Sequence, residues 1–98
     1  VLDRLHAELP DTPVLLAEFG VGTDDDDVRA AYLQRGLEVV ARRLDEGHDI
    51  RGFFHWTAID NYEWLHGYDV SFGLIDRDRR VRPSAAVLSN EALSHPDA

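Results

Sequence analysis

Apolar residues in this chain first follow helical spacing, then a short unbroken run, then helical spacing again. Leu2, Leu5 and Leu9 recur at helical intervals, so residues 1 to 9 predict the end of an amphipathic helix. Pro10-Asp11-Thr12-Pro13 stops it, because proline lacks an N–H and disfavours helix before it. Val14 to Ala17 is apolar without alternation, which predicts a strand buried on both faces. A helix is expected to begin at Thr23, with the acids of Asp24 to Asp27 filling its first turn and favouring the positive end of its dipole. Val28, Tyr32, Gly36, Val40 and Leu44 follow at steps of four, with Leu33 and Leu37 beside them, and Gly47 suits the left-handed residue that closes a helix. Ile50 to Trp56 predicts a second strand, followed by a polar, aromatic loop from about 57 to 71. Phe72 to Asp76 and Val81-Arg82 flank Arg77-Asp78-Arg79-Arg80 as a short hairpin. Pro83-Ser84 opens a last helix to about Leu93, with Ala85, Leu88 and Ala92 on one face and a frayed tail after Ser94.

The chemistry is concentrated where the second strand ends, in Phe54-His55-Trp56-Thr57-Ala58-Ile59-Asp60-Asn61-Tyr62-Glu63-Trp64. Aromatic, carboxylate and amide groups packed this densely suit sugars. Trp faces stack on the apolar C–H face of a pyranose, and carboxylates accept paired hydrogen bonds from vicinal hydroxyls. The first strand ends in a lone acid, Glu18. Two strands ending in polar groups with a helix between them fit neighbouring strands of a β/α barrel, whose chemistry sits at the carboxyl ends of its strands.

The order apolar strand–Glu18-x-Gly20, helix, Trp56-Thr57-x-x-Asp60-Asn61-Tyr62-Glu63-Trp64, Gly67-Tyr68 and Phe72-Gly73-Leu74 resembles the C-terminal part of the family 1 glycoside hydrolases, the β-glucosidase type, over roughly residues 10 to 90. The resemblance implies an α/β fold: the C-terminal quarter of a (β/α)8 TIM barrel, strands seven and eight with their helices. The whole chain, 1–98, would then be one partial barrel domain without strands one to six. It implies retaining hydrolysis of terminal β-D-glucosides or related β-glycosides. Glu18 would be the nucleophile that attacks the anomeric carbon and forms a glycosyl-enzyme intermediate. Glu63 would accept hydrogen bonds from sugar O4 and O6, the Trp64 indole would donate to O3, and Trp56 would form the stacking floor. In the family the peptide after this Trp is often cis. A carboxylate at Glu63 would repel a 6-phosphate, so an unmodified hexose is expected. The branch acting on 6-phosphoglycosides usually carries a Lys-Tyr pair, and this chain has no Lys.

The chain departs from the family in two ways. Thr-Glu-Asn-Gly is usual where this sequence has Ala17-Glu18-Phe19-Gly20, so a hydroxyl and an amide beside the nucleophile are replaced. A retaining glycosidase also needs a second carboxyl about 5–5.5 Å from the first. In the family that acid/base Glu follows an Asn on the fourth strand. The one Asn-Glu here is Asn90-Glu91, on the expected terminal helix. The chain alone is therefore expected to be inactive and to need the remainder of its barrel. A catalytically silent sugar-binding relative and a purely structural piece stand as alternatives.

Composition narrows the partners. The chain has 98 residues against the ~250 of a full barrel, begins at Val1 and has no Met, so it is expected to be a piece of a longer protein. A net charge of −9 argues against nucleic acid, which needs clustered positive charge. No apolar run reaches the ~20 residues of a membrane span, and no secretion signal is visible. Zero Cys leaves no disulfide framework or thiolate metal site, which fits a cytoplasmic location. His55 and His66 have no partner at metal spacing, and Asp24 to Asp27 lack the spacing of a calcium loop, so no metal or cofactor is expected and the acids read as a solvated helix start. His55 should point to the side of its strand opposite Phe54 and Trp56, and Asp60 and Asn61 are expected to brace their loop.

Overall fold

The computed structural model describes residues 1–95. Of the frayed tail expected after Ser94, residues 96–98 lie outside the described residues. The elements are α1 (Leu2–Glu8), β1 (Val14–Phe19), α2 (Asp26–Asp45), β2 (Ile50–His55) and α3 (Ala85–Ser94). β1 and β2 form a two-stranded parallel sheet joined by the α2 crossover, the connection that parallel strands require. Among the described residues, no helix is long and apolar enough to cross a membrane.

The start of α2 differs from the expectation. Asp25, not Thr23, is the N-cap: its side chain accepts hydrogen bonds from the Asp27 and Val28 N–H groups. The Thr23 hydroxyl instead accepts from Asp25 N one turn earlier. Gly47 closes the helix at φ 90°, as its placement implied. The buried stripe of α2 is Arg29, Leu33, Leu37 and Val40, while Val28, Tyr32 and Leu44 remain substantially exposed. The stripe is rotated from the one expected because a charged residue, Arg29, occupies its first position.

Leu33, Leu37 and Leu74 form the centre of the core, with Phe19, Phe53, Ala85, Val87 and Leu88 packed around them. Burying one such Leu contributes about 2 kcal/mol. This core lies between one face of the sheet, α2 and α3. The opposite face is open, with Leu15 60% and Phe54 57% exposed. The expectation that β1 is buried on both faces is corrected here, because among the described residues only one face of the sheet has a helix over it. The sheet's two outer flanks open onto apolar clefts, one of about 640 Å³ beside α1 and β1 and one of about 600 Å³ between α2, β2 and α3.

β2 ends at His55, one residue short of the expected strand, and the segment that follows is braced by neighbours rather than by a ladder. The expected hairpin reduces to a single antiparallel bridge, Ile75–Val81, and Ile59 pairs in parallel with Ile75. Its turn is held by the Asp76 carboxylate, which accepts from the N–H groups of Asp78 and Arg80.

Candidate functional site

Strict alternation along β1 would group Val14, Leu16 and Glu18 on one face and Leu15, Ala17 and Phe19 on the other. The observed burial breaks that parity: Val14, Leu16 and Phe19 face the helix, while Leu15, Ala17 and Glu18 are exposed. The register explains it. Leu16 pairs with Phe53 and Phe19 with His55, so Ala17 and Glu18 together oppose Phe54 alone. This is a β-bulge, a device that re-aims a side chain at a strand end. It turns the Glu18 carboxylate onto the open face and sends Phe19 inward.

Phe19 then seats firmly. Its ring stacks on Tyr32 at 4.7 Å between centroids and tilts against Phe53 at 5.2 Å. A Cβ on Gly36 would come within 2.3 Å of Phe19 Cζ, so only glycine lets the ring lie against α2. The Phe that replaces the family's usual Asn is thus part of the outer layer, on the face away from Glu18. Beyond it Gly20 passes the Trp56 carbonyl so closely that a Cβ would lie 2.1 Å from its oxygen. Trp56 N donates to Phe19 O at 2.9 Å, which ties the two strand ends together.

Trp56 leaves β2 two residues beyond the exposed Phe54, on the same open side, and is 38% exposed. Its peptide bond to Thr57 is cis, as the resemblance implied. The indole Nε1–H donates to Glu63 Oε1 at 3.1 Å, and Asn61 Nδ2 donates to the same oxygen at 2.9 Å. Glu63 N and Gly67 N exchange hydrogen bonds with each other's carbonyls at 2.8 and 2.6 Å, closing a tight turn that carries Trp64 at its tip, 93% exposed. The structure therefore brings Trp56 and Glu63 into contact. Among the described residues, no hydrogen bond joins Glu18 or Trp64 to them. His66 is exposed on the same turn, and Asn90 and Glu91 lie within α3.

A polar frame holds the loop that carries these groups. Three successive carbonyls each accept a hydrogen bond from a side chain on another segment: Ser71 O from Arg29 Nη2 at 2.9 Å, Phe72 O from His55 Nε2 at 3.1 Å, and Gly73 O from Arg82 Nη1 at 2.7 Å. Arg82 also grips Asp60 through both nitrogens, at 2.8 and 2.7 Å, and Asp60 Oδ1 accepts from Gly73 N at 2.8 Å. Asp60 thus braces the loop as expected, but through a partner, Arg82, that the sequence did not reveal. The Arg82 hydrogen bonds, aided by Gly73 N–H and opposed by burial, hold the Asp60 carboxyl below its ordinary range.

Arg29, 1% exposed, pairs with Asp26 at 2.7 Å and donates to Thr23 O. Asp26 in turn accepts from Ser84 N at 2.9 Å and Ser84 Oγ at 2.7 Å. Burial raises the Asp26 pKa, but the two Ser84 hydrogen bonds and Arg29 outweigh it, and the net shift is downward. The run Asp24 to Asp27 is therefore not simply a solvated helix start, since Asp26 is an internal bridge to α3. Sequence reasoning missed Arg29, Arg82 and Ser84. The i, i+3 spacing of Asp26 and Arg29 was a signal for one pair, and nothing local marked the others.

Asp3, Glu46 and His48 bring one ligand atom each within 4.8 Å of one another. Arg43 already pairs with Asp3 at 2.6 Å and Glu46 at 3.5 Å, so this cluster is a salt-bridge tie between α1 and the end of α2.

The model of the family described as glycosyl hydrolase family 1 matches residues 1–90. The chain belongs to that family. It is 42% identical over 86 residues to a bifunctional beta-D-glucosidase/beta-D-fucosidase of Bifidobacterium breve, covering 74% of this chain and 19% of the relative. It is 42% identical over 80 residues to a beta-galactosidase of Sulfolobus acidocaldarius, covering 76% and 16%. Among solved structures it is similar to the GH1 beta-glucosidase from Exiguobacterium antarcticum B7, with TM-score 0.90 and 34% identity over 99% of this chain and 25% of that one. The chain thus spans about a fifth of the length of these curated relatives. These family 1 relatives are TIM-barrel glycoside hydrolases, and the parallel strand–helix–strand unit with its open face is part of that architecture.

Proposed function

We propose that this chain forms strands seven and eight of a (β/α)8 barrel, its C-terminal quarter, and carries the nucleophile and part of the sugar site of a retaining β-glycosidase. The observation that carries this reading is the bulge at Ala17 and Glu18. It turns a strand-end carboxylate to the open face, on the side where Trp56 leaves the neighbouring strand. The substrate is a terminal β-D-glucoside or a related β-glycoside. Glu18 attacks the anomeric carbon, and the bond to the aglycone oxygen breaks as an acid from elsewhere in the barrel protonates that oxygen. The resulting Glu18–sugar ester is then hydrolysed by water, the same second group now taking the water's proton. Trp56 is the stacking floor, Glu63 receives O4 and O6, and Trp64, exposed on its turn, reaches O3. The open face and the two apolar clefts are where the other strands and helices pack, so the chain alone has no glycosidase activity.

The second reading, a silent sugar-binding relative, draws on Ala17, which offers no hydroxyl beside Glu18. Glu18→Ala in the whole protein separates the two. As the nucleophile, its loss lowers kcat by at least about 10³-fold. Azide or formate then restores part of the rate by occupying the space left by the carboxylate. A Glu18→Ala protein that keeps more than a few per cent of the parent rate overturns the assignment.

A further inference from the structure

The salt-bridge tie between α1 and the end of α2 leaves His48 out. Its side chain is only 9% exposed, and among the described residues neither ring nitrogen makes a hydrogen bond. His48 Nε2 faces Asp3 Oδ1 at 3.7 Å, too far for a hydrogen bond. Arg43 does not saturate the acids either. Its Nη2 donates to Asp3 Oδ2 at 3.1 Å, but its Nε, 2.6 Å from Oδ1, makes no hydrogen bond. Glu46 meets Arg43 Nη1 at 3.5 Å, and among the described residues its carboxylate accepts no hydrogen bond. An imidazole and two carboxylates thus converge with lone pairs unused.

This donor set suits a divalent transition metal. Imidazole nitrogen and carboxylate oxygen bind zinc at about 2.0–2.2 Å, so two donors on one tetrahedral ion lie about 3.3–3.6 Å apart. The 3.7 Å between His48 Nε2 and Asp3 Oδ1 is just beyond that span. The three ligand atoms lie within 4.8 Å of one another, and the exposed side chains of Asp3 and Glu46 are free to close the difference. The His48 ring needs no such turn. It lies on the His6 ring at 4.1 Å between centroids, 11° from parallel, and the stack holds its plane. Asp3 belongs to α1, Glu46 caps α2 and His48 leads into β2, so the cluster sits at the amino ends of the strands. Glu18 and Trp56 are at the opposite, carboxyl ends, so an ion here fastens helices rather than takes part in the reaction.

We propose that Asp3, Glu46 and His48 form a binding site for one zinc ion, with water completing its coordination. Arg43 is the competitor: its positive charge lies beside both carboxylates, and a bound dication repels it. This gives Arg43 opposite expectations under the two accounts. In a salt-bridge tie alone, removing Arg43 only loosens the cluster. In a metal site, removing it tightens zinc binding. The proposal does not depend on the role of Glu18.

The test is a zinc titration of the whole protein, stripped with a chelator and then freed of it, followed by calorimetry and by melting temperature. The parent should bind zinc at this site, and its melting temperature should rise with zinc because the ion binds the folded form. His48→Ala and Asp3→Asn should weaken that binding by at least about tenfold and remove the rise. Arg43→Gln should strengthen it.

No zinc binding by the parent, or isotherms of His48→Ala and Asp3→Asn that superimpose on the parent's, overturns the proposal. An Arg43→Gln protein that binds zinc more weakly than the parent overturns it as well. Asp3 is exposed on α1, so Asp3→Asn decides the matter if His48→Ala fails to fold.

Discussion

The two strand ends hold their acids by different means. At β1 the Glu18 carboxylate accepts no hydrogen bond among the described residues, and its direction comes from the backbone: a bulge, and a Phe19 ring seated over Gly36. Beyond β2, Glu63 is held by direct hydrogen bonds from Trp56 and Asn61. Its loop is anchored further back by Arg29, His55 and Arg82 on three consecutive carbonyls. The physics matches the roles proposed for them. A nucleophile needs its lone pairs free for carbon, so apolar packing aims it without occupying them. A hydroxyl receptor needs a fixed plane, which hydrogen bonds supply. The departure at Phe19 fits this division, since the ring packs on Tyr32 and Phe53 and offers Glu18 no hydrogen bond.

The loop side should break hardest. Arg82→Ala removes the partner of a largely buried carboxylate and leaves Asp60 and Gly73 O without their main donors. Breaking such a pair costs about 3 kcal/mol. In the whole protein this should appear as a lower melting temperature and as protease cleavage within residues 57–71. An unchanged melting temperature with an intact loop would show that the frame does not depend on Arg82.

The β1 side should break less. Gly36→Ala improves helix propensity by about 1 kcal/mol, but the new methyl meets Phe19 Cζ at 2.3 Å, and overpacking typically costs about 1–3 kcal/mol. Net destabilisation is expected, together with lost activity as Phe19 and the bulge shift. A smaller ring-site residue, Phe19→Leu, should recover stability in the double variant. If Gly36→Ala is simply more stable and fully active, Phe19 does not set the direction of Glu18.

Acid should sharpen the contrast with the smallest effect. Burial, helped by the Arg29 charge and opposed by the hydrogen bond to Phe72 O, lowers the His55 pKa from 6.5. The unfolded chain therefore takes up that proton first, and stability falls as pH drops below about 6.5 until the folded group also titrates. Asp60 and Asp26 are lowered from 3.8, so their contribution is full above that value and is lost as pH falls through their folded values. Melting temperature against pH should show both steps in the parent, and Arg82→Ala should flatten the lower one. Superimposable profiles would remove Asp60 from the account.

Much of this was legible in the chain because it depends on short-range chemistry. The proline stop, the α2 helix, the left-handed Gly47 and the aromatic–acidic block after β2 all follow from neighbours within a few residues, and that block also carried the family resemblance. The pairs that frame the loop were not legible. Asp60 with Arg82, Asp26 with Ser84 and Arg29 with Ser71 O link positions 22, 58 and 42 residues apart, and no local period marks them. The bulge was hidden for a related reason, since register belongs to two strands and β1 alone reads as a plain apolar run. Sequence determined where aromatic and acidic side chains cluster along the chain. The tertiary structure decided where they point, because pairing register and long-range hydrogen bonds exist only once distant segments are packed together.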